Sequence, residues 1–124
     1  MKKAGQIVLT PFPFTNLTGA KLRPVLLLKK SSNFHDDWLV CMVSSQTHQA
    51  QQDLDEIINE TEVDFSASGL KVKSILRLSR LAVLSSELMV GSIGQISDSR
   101  LSKVKCLASI TLTGSRQLSC PVSG

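Results

Sequence analysis

Hydrophobic and polar positions alternate in short blocks, and the blocks predict strands more than helices. Gln6 to Thr10 is a β-rich run that enters Pro11, Phe12, Pro13, Phe14. Two prolines without N–H donors cannot continue a central strand, so the pattern predicts a strand followed by an ordered loop. Thr15 to Lys21 holds Asn16, Thr18 and Gly19, which is turn chemistry, and Leu22, Arg23, Pro24 then lead into Val25 to Leu28, a buried strand. After a polar turn at Asn33 to Asp37, Trp38 to Ser45 is nearly continuous in apolar character, as a two-sided or barrel-core strand would be. Its end is polar: Ser44, Ser45, Gln46, Thr47, His48.

Leu54 to Ile58 reads as a short strand and Val63 to Gly69 as a turn or helical stub before Val72 to Leu78. From Ser74 to Leu84 the alternation is imperfect, with Ile75, Leu78, Leu81 and Val83 apolar and Arg77 and Arg80 between them. Gly91 and Gly94 within Met89 to Ile96 predict a bulged or sharply curved strand. Beyond Ser97 or Asp98 as N-cap, Leu101, Val104, Leu107, Ala108 and Thr111 recur at helical spacing until Gly114, with Arg100, Lys103 and Lys105 off that stripe. The fold class is therefore mostly β (α+β): a small twisted, mainly antiparallel barrel with a C-terminal helix closing one side. A mixed α+β sandwich would give much the same pattern.

With 124 residues the chain has the length of one domain. A hydrophobic fraction of 42% excludes disorder as a class, and only 4% aromatics means that Leu, Val and Ile must fill the core. The longest apolar runs, Pro24 to Leu28 and Trp38 to Val43, fall far short of the roughly 20 residues of a membrane helix, so no membrane partner is expected. Lys2 and Lys3 are followed by Ala4, Gly5, Gln6 rather than by the apolar region of a signal peptide, which leads to a cytoplasmic expectation. Cys41, Cys106 and Cys120 are odd in number and widely spaced, and read as buried or bystander thiols.

The net charge of +4 is unevenly distributed, because Asp53, Asp55, Glu56, Glu60, Glu62 and Asp64 are six of the ten acids. Outside that segment the chain is strongly basic, which suits a polyanion such as nucleic acid; the acidic segment itself reads as a solvated loop.

No P-loop, GxGxxG, HExxH or GxSxG motif occurs, and His35 and His48 lack the neighbours of a metal site, so neither metal nor cofactor is expected. What stands out is Arg23 at the mouth of one strand and Ser44, Ser45, Gln46 at the end of the next. In adjacent antiparallel strands the start of one lies beside the end of the other, which brings Arg23 and Ser44 together. An Arg forks onto phosphate oxygens and a Ser hydroxyl adds a hydrogen bond, a pairing suited to phosphodiester chemistry. RNA carries its own nucleophile, the 2′-hydroxyl, and needs only positioning, charge stabilisation and proton transfer. With a pKa above about 12, Arg is a poor base, so Arg23 is assigned to charge stabilisation, and His48 is a candidate proton shuttle. Arg77 and Arg80 either line an RNA groove or are solvated edge charges, and Phe14 either stacks on a base or plugs the core.

The order Gly5, Gln6, Ile7, Val8, then Pro11, Phe12, Pro13, Phe14, then Gly19, Lys21, Leu22, Arg23, Pro24 and an aliphatic strand resembles the opening of PemK/MazF-type toxins. A strand ending in Ser44, Ser45, Gln46, and later Gly69, Leu70, Lys71, Ser74 to Arg77 and Leu81 to Leu84, extend the likeness over most of the chain. The resemblance implies a toxin domain at 1–114 with a tail at 115–124, an SH3-like barrel and a homodimer. It further implies metal-independent cleavage of single-stranded RNA leaving a 2′,3′-cyclic phosphate, and a cognate antitoxin whose tail blocks the RNA groove.

By position, Arg23 matches the family's catalytic Arg and Ser44 its catalytic Thr or Ser. Thr15 and Lys21 fall in a substrate-facing loop as candidate RNA contacts, and Gln46, Arg77 and Arg80 are weaker carry-overs. Ser44 in place of the frequent Thr keeps the hydroxyl but loses the methyl that fixes its rotamer, and the polar stretch from Thr47 to Asp53 alters the groove. The rival reading is a non-catalytic binding module on the same barrel, such as a gyrase-type target poison or an inactivated toxin. A purely structural interaction domain, binding RNA only through charge, is a third.

Overall fold

The computed structural model describes residues 3–12, 21–30, 36–45 and 55–113. Its strands are β1 Gln6–Phe12, β2 Lys21–Lys30, β3 Asp37–Ser44, β4 Glu56–Ile58, β5 Ser74–Ser85 and β6 Gly91–Gln95, with helices α1 Phe65–Ser68 and α2 Asp98–Thr113. They form one antiparallel sheet in the order β4-β5-β3-β2-β1-β6, curled into a half-barrel. The mostly β expectation with a C-terminal helix is met.

Period-2 alternation gives the sheet two apolar faces. Ile7, Leu26, Leu28, Leu39, Cys41, Leu76 and Leu78 form the larger core with Val104 and Ala108 of α2, while Leu101 and Leu107 pack against it. Val8, Val25, Leu27, Trp38, Val40, Leu84 and Met89 form a second cluster on the opposite face. The helical stripe therefore lands where its spacing pointed. Ser97 is the residue that caps α2: its Oγ accepts from the Arg100 N–H at 3.2 Å.

Two prolines end up inside strands rather than beside them. Pro11 and Phe12 continue β1, opposite Leu22 and Lys21 of β2, instead of starting a loop. Among the described residues β6 pairs with Gln6 to Leu9 and not with Pro11, so the missing N–H removes no ladder bond there. Pro24 likewise lies in β2 just past the last β2–β3 pair, Val25 with Met42, so β2 begins at Lys21 rather than Val25.

The glycine signal in β6 also has a structural counterpart. Ile7 pairs with Gly94 and Val8 with Ser92, leaving Ile93 as a bulge. At Gly94 a Cβ would run into the backbone of Ala67 and Ser68, so α1 sits directly on the strand. Gly69, at φ +78° and closing α1, lies just as tightly against the Ile93 carbonyl. The connection from β4 to its neighbour β5 thus packs α1 on β6, the strand at the other edge of the sheet.

The acidic segment is not a solvated loop, because α2 folds Arg100 onto it. The guanidinium donates to Asp64 Oδ2 at 2.8 Å through Nε, to Glu62 Oε1 at 2.7 Å through Nη2 and to Glu56 Oε2 at 3.1 Å through Nη1. Asp64 also accepts the Ser97 N–H at 3.1 Å, and Lys103 reaches Glu56 at 3.1 Å. Partial burial opposes ionisation of Asp64 and Glu62, yet hydrogen bonds outweigh it and hold both below the ordinary carboxylate range: Arg100 and the Ser97 N–H for Asp64, the Asn59 N–H and Arg100 for Glu62. Helical spacing sets Arg100 off the apolar stripe, and it says nothing of what crosses the helix end to meet it.

Of the cysteines, Cys41 is free and buried, and burial, with the nearby Asp55 charge, pushes its thiol pKa up. Cys106 is disulfide-bonded, contrary to the expectation of an unpaired thiol; spacing along the chain says nothing of which sulfurs meet in space. No helix among the described residues is long and apolar enough to cross a membrane.

Candidate functional site

The β2–β3 ladder stops at Val25 and Met42, and both strands run on beyond it. Continuing that register puts Arg23 level with Ser44, on the face that carries Val25 and Met42. On the other flank of β3, Met42 pairs with Arg77 and Ser44 with Ile75, so β5 brings a second guanidinium to the same face. Past this point β5 is irregular, the register jumping from Arg77 to Leu81 between consecutive β3 residues, and the sheet bends where the strands part.

A cleft of about 650 Å³ opens there. It is lined by Arg23 and Pro24 of β2, Met42 to Ser45 at the end of β3, Leu70 to Val72 ahead of β5, and Ser74, Arg77, Leu81 and Ala82 of β5. Its chemistry divides cleanly. Pro24, Met42, Val43, Leu70, Val72, Leu81 and Ala82 supply apolar surface, Arg23, Lys71 and Arg77 supply three cations, and Ser44, Ser45 and Ser74 supply hydroxyls. No carboxylate lines it among the described residues. Arg23 and Lys71 are exposed, whereas Arg77 is half-buried with its Nε shielded from solvent. The Arg23 side chain makes no ion pair or hydrogen bond to another described residue.

Three cations around an apolar-walled cavity suit a phosphate ester with an organic body attached. The guanidiniums offer planar donors to nonbridging oxygens and the apolar walls offer surface to the organic body.

Of the residues singled out from the sequence, Arg23, Ser44 and Arg77 are brought together in this cleft. Lys21 lies at the start of β2, exposed and opposite Phe12, and does not line it. Thr15, Gln46, His48 and Phe14 fall outside the described residues, as does the side chain of Arg80, whose backbone lies in the irregular stretch of β5. Sequence reasoning passed over Lys71 and Ser74. The rule that joined Arg23 to Ser44 reaches them only once β5 is seen to pair with β3, which sets the start of β5 beside the end of β3 and brings the 70–74 segment to the same place.

Comparison with known proteins follows the same lines. The family model of PemK-like, MazF-like toxins of type II toxin–antitoxin systems matches residues 3–110. Among solved structures, a mycobacterial endoribonuclease in complex with its cognate antitoxin is similar with a TM-score of 0.65 at 11% identity, over 91% of this chain and 96% of that one. The Mycobacterium tuberculosis toxin MazF-mt6 is similar with a TM-score of 0.58 at 14% identity, over 84% of this chain and 95% of that one. At such identities these two likenesses speak for the fold. No curated protein matches.

Proposed function

The chain belongs to the PemK-like, MazF-like toxins of type II toxin–antitoxin systems, and from that premise we propose that it cleaves single-stranded RNA as a metal-independent endoribonuclease. The 2′-oxygen attacks the adjacent phosphorus and the bond from phosphorus to the 5′-oxygen breaks. The products are a 2′,3′-cyclic phosphate and a free 5′-hydroxyl, the proton lost from the 2′-hydroxyl being balanced by one gained at the leaving oxygen. The observation that carries this reading is the convergence of Arg23, Ser44 and Arg77 on one cleft free of lining carboxylates among the described residues.

In this mechanism Arg23 forks onto the nonbridging oxygens and meets the charge that builds as phosphorus becomes five-coordinate. The Ser44 hydroxyl donates a further hydrogen bond to the same oxygens. Arg77, its stem held in the wall, keeps the phosphodiester seated. Thr15, Lys21, Gln46 and Arg80 extend the RNA contacts beyond the cleft. The chain acts as a homodimer in the cytoplasm and is held in check by a cognate antitoxin, a reading supported by family membership and by the antitoxin bound to the mycobacterial endoribonuclease.

The test is incubation with a long single-stranded RNA in excess EDTA, mapping the new ends. Native protein is expected to give discrete cuts bearing cyclic phosphates, and Arg23→Ala to slow them by about 10²–10³-fold, the usual loss for one oxyanion donor. Because Arg23 is exposed, the variant should keep its fold. Unchanged cleavage by Arg23→Ala would overturn the site assignment. Growth arrest with intact RNA would point instead to a binding module that poisons another target.

A further inference from the structure

The segment Leu70 to Val72, between α1 and β5, lines the cleft with three consecutive residues and is braced at both ends. At its start, Gly69 takes a left-handed turn at φ +78° and is pressed on the Ile93 carbonyl, while the Leu70 N–H donates to Ser68 Oγ at 3.2 Å. Ser68 is fully buried and donates in turn to the Phe65 carbonyl. At its end, Ser74 Oγ donates to the Val72 carbonyl at 2.8 Å, and Ser74 is itself buried in the β4–β5–β3 ladder. Three residues between two such anchors have little freedom left. What they turn outward is an exposed ammonium at Lys71 and a half-exposed isopropyl group at Val72, 51% accessible.

A side chain kept half in water on a fixed backbone, facing a cleft that holds Arg23 and Ser44, is placed to meet whatever occupies that cleft. At about 650 Å³ the space is that of an organic ligand rather than of one anion. The apolar side chains that line it among the described residues are aliphatic, so this part of the cleft reads a base by shape. From this we infer that Leu70 to Val72 is a preformed specificity wall: Leu70 and Val72 bear on the nucleotide next to the scissile phosphate, and Lys71 binds the following phosphate. The inference rests on the ribonuclease reading above and adds to it which segment chooses the cleavage context.

Preorganisation is what makes the assignment testable. A wall that need not order itself on binding gains its contacts without an entropic cost, so each exposed group acts on recognition nearly independently of the chemistry. Lys71 is a binding residue for a phosphate that does not react, and its loss should raise KM and spare kcat. Val72 bears on one nucleotide, and its loss should change preference at one position of the cleavage motif.

The experiment digests, in EDTA, an RNA pool containing every short context with native chain, Arg23→Ala, Lys71→Gln and Val72→Ala. Cut sites are sequenced and kinetics measured on one good substrate at several salt concentrations. For Lys71→Gln the expected result is a KM raised about 10-fold with kcat within about twofold, and a salt slope shallower by about 0.7, the value of one phosphate contact on a single strand. For Val72→Ala it is a change of about 3- to 10-fold in relative kcat/KM among the four bases at a single position beside the cut, other positions keeping their preference. Both side chains are exposed, and a thermal melt of each variant within a degree or two of native secures the fold. If Arg23→Ala is inactive while both wall variants keep the native motif and KM, the inference falls and the ribonuclease reading stands. If the native chain cuts no RNA, both fall together.

Discussion

Arg100→Met puts to the test the ion-pair network that joins α2 to the acidic segment. The native guanidinium is 9% exposed and touches three carboxylates at 2.7 to 3.1 Å, tying the start of α2 to β4 and to the turn that precedes α1. Met keeps much of the stem's volume and removes the charge. Truncating one partner of a buried ion pair usually costs about 3–5 kcal/mol, because the other partner is stranded. Here the lower end applies. Glu62 is 34% exposed and can turn to water, and Glu56 keeps Lys103 at 3.1 Å, so Asp64, at 8% exposure and left with the Ser97 N–H but no cation, bears most of the loss.

About 3 kcal/mol is therefore expected from urea unfolding at pH 7, corresponding to a fall in Tm of roughly 10 °C in a domain of this size. The pH dependence supplies an independent check. Glu62 and Asp64 have depressed folded pKa values, so their contribution is fully present above the unfolded values near 4 and is lost as pH falls through the lower folded ones. In the variant the same groups gain from protonation, and the gap between the two proteins should narrow below about pH 4. A gap under about 1 kcal/mol at pH 7, or one that is the same at pH 7 and pH 3, would refute the argument that these pairs are buried and coupled to folding.

Further outcomes are expected elsewhere in the molecule. Ser44→Ala should lower kcat for RNA cleavage by about 10- to 100-fold while Ser44→Thr retains most of it, since only the hydroxyl donor is lost in the first; equal activity of the two would remove Ser44 from the mechanism. Gly94→Ala should destabilise by about 2 kcal/mol or more in urea, because its Cβ meets the α1 backbone and no flexible side chain can yield; a melt like that of the native chain would mean that α1 does not sit on β6. Cys41 should resist iodoacetamide at pH 8 in the folded protein and react once urea unfolds it, its thiol being buried with a raised pKa; rapid native labelling would contradict that burial.

Local pattern carried far in this chain. The β1 and β3 runs, the bulge at Gly91 to Gly94, the stub ending at Gly69 and the stripe on α2 each stand close to where alternation, helical spacing and glycine placed them. These signals depend on nearest neighbours along the chain, which the sequence displays directly. Pro11 and Pro24 were harder to read, because proline is excluded from a strand only where a partner waits for its N–H, and strand order decides where partners stop. Arg100 shows the same limit: nothing within a helical turn of it reveals three acids that lie 36 to 44 positions earlier in the chain.

By itself, then, the order of residues determined the secondary elements, the antiparallel adjacency that sets Arg23 near Ser44, and the family to which those landmarks belong. Only the tertiary structure decided that β5 would bring Arg77 across β3, that Leu70 to Val72 would wall the cleft, and that α2 would pair Arg100 with three acids of the acidic segment. The reason is physical. Periodicity records which face a residue turns to its own element, whereas a site and a buried ion network are made by faces of different elements, and their meeting is set by the twist of the sheet and the packing of the whole core.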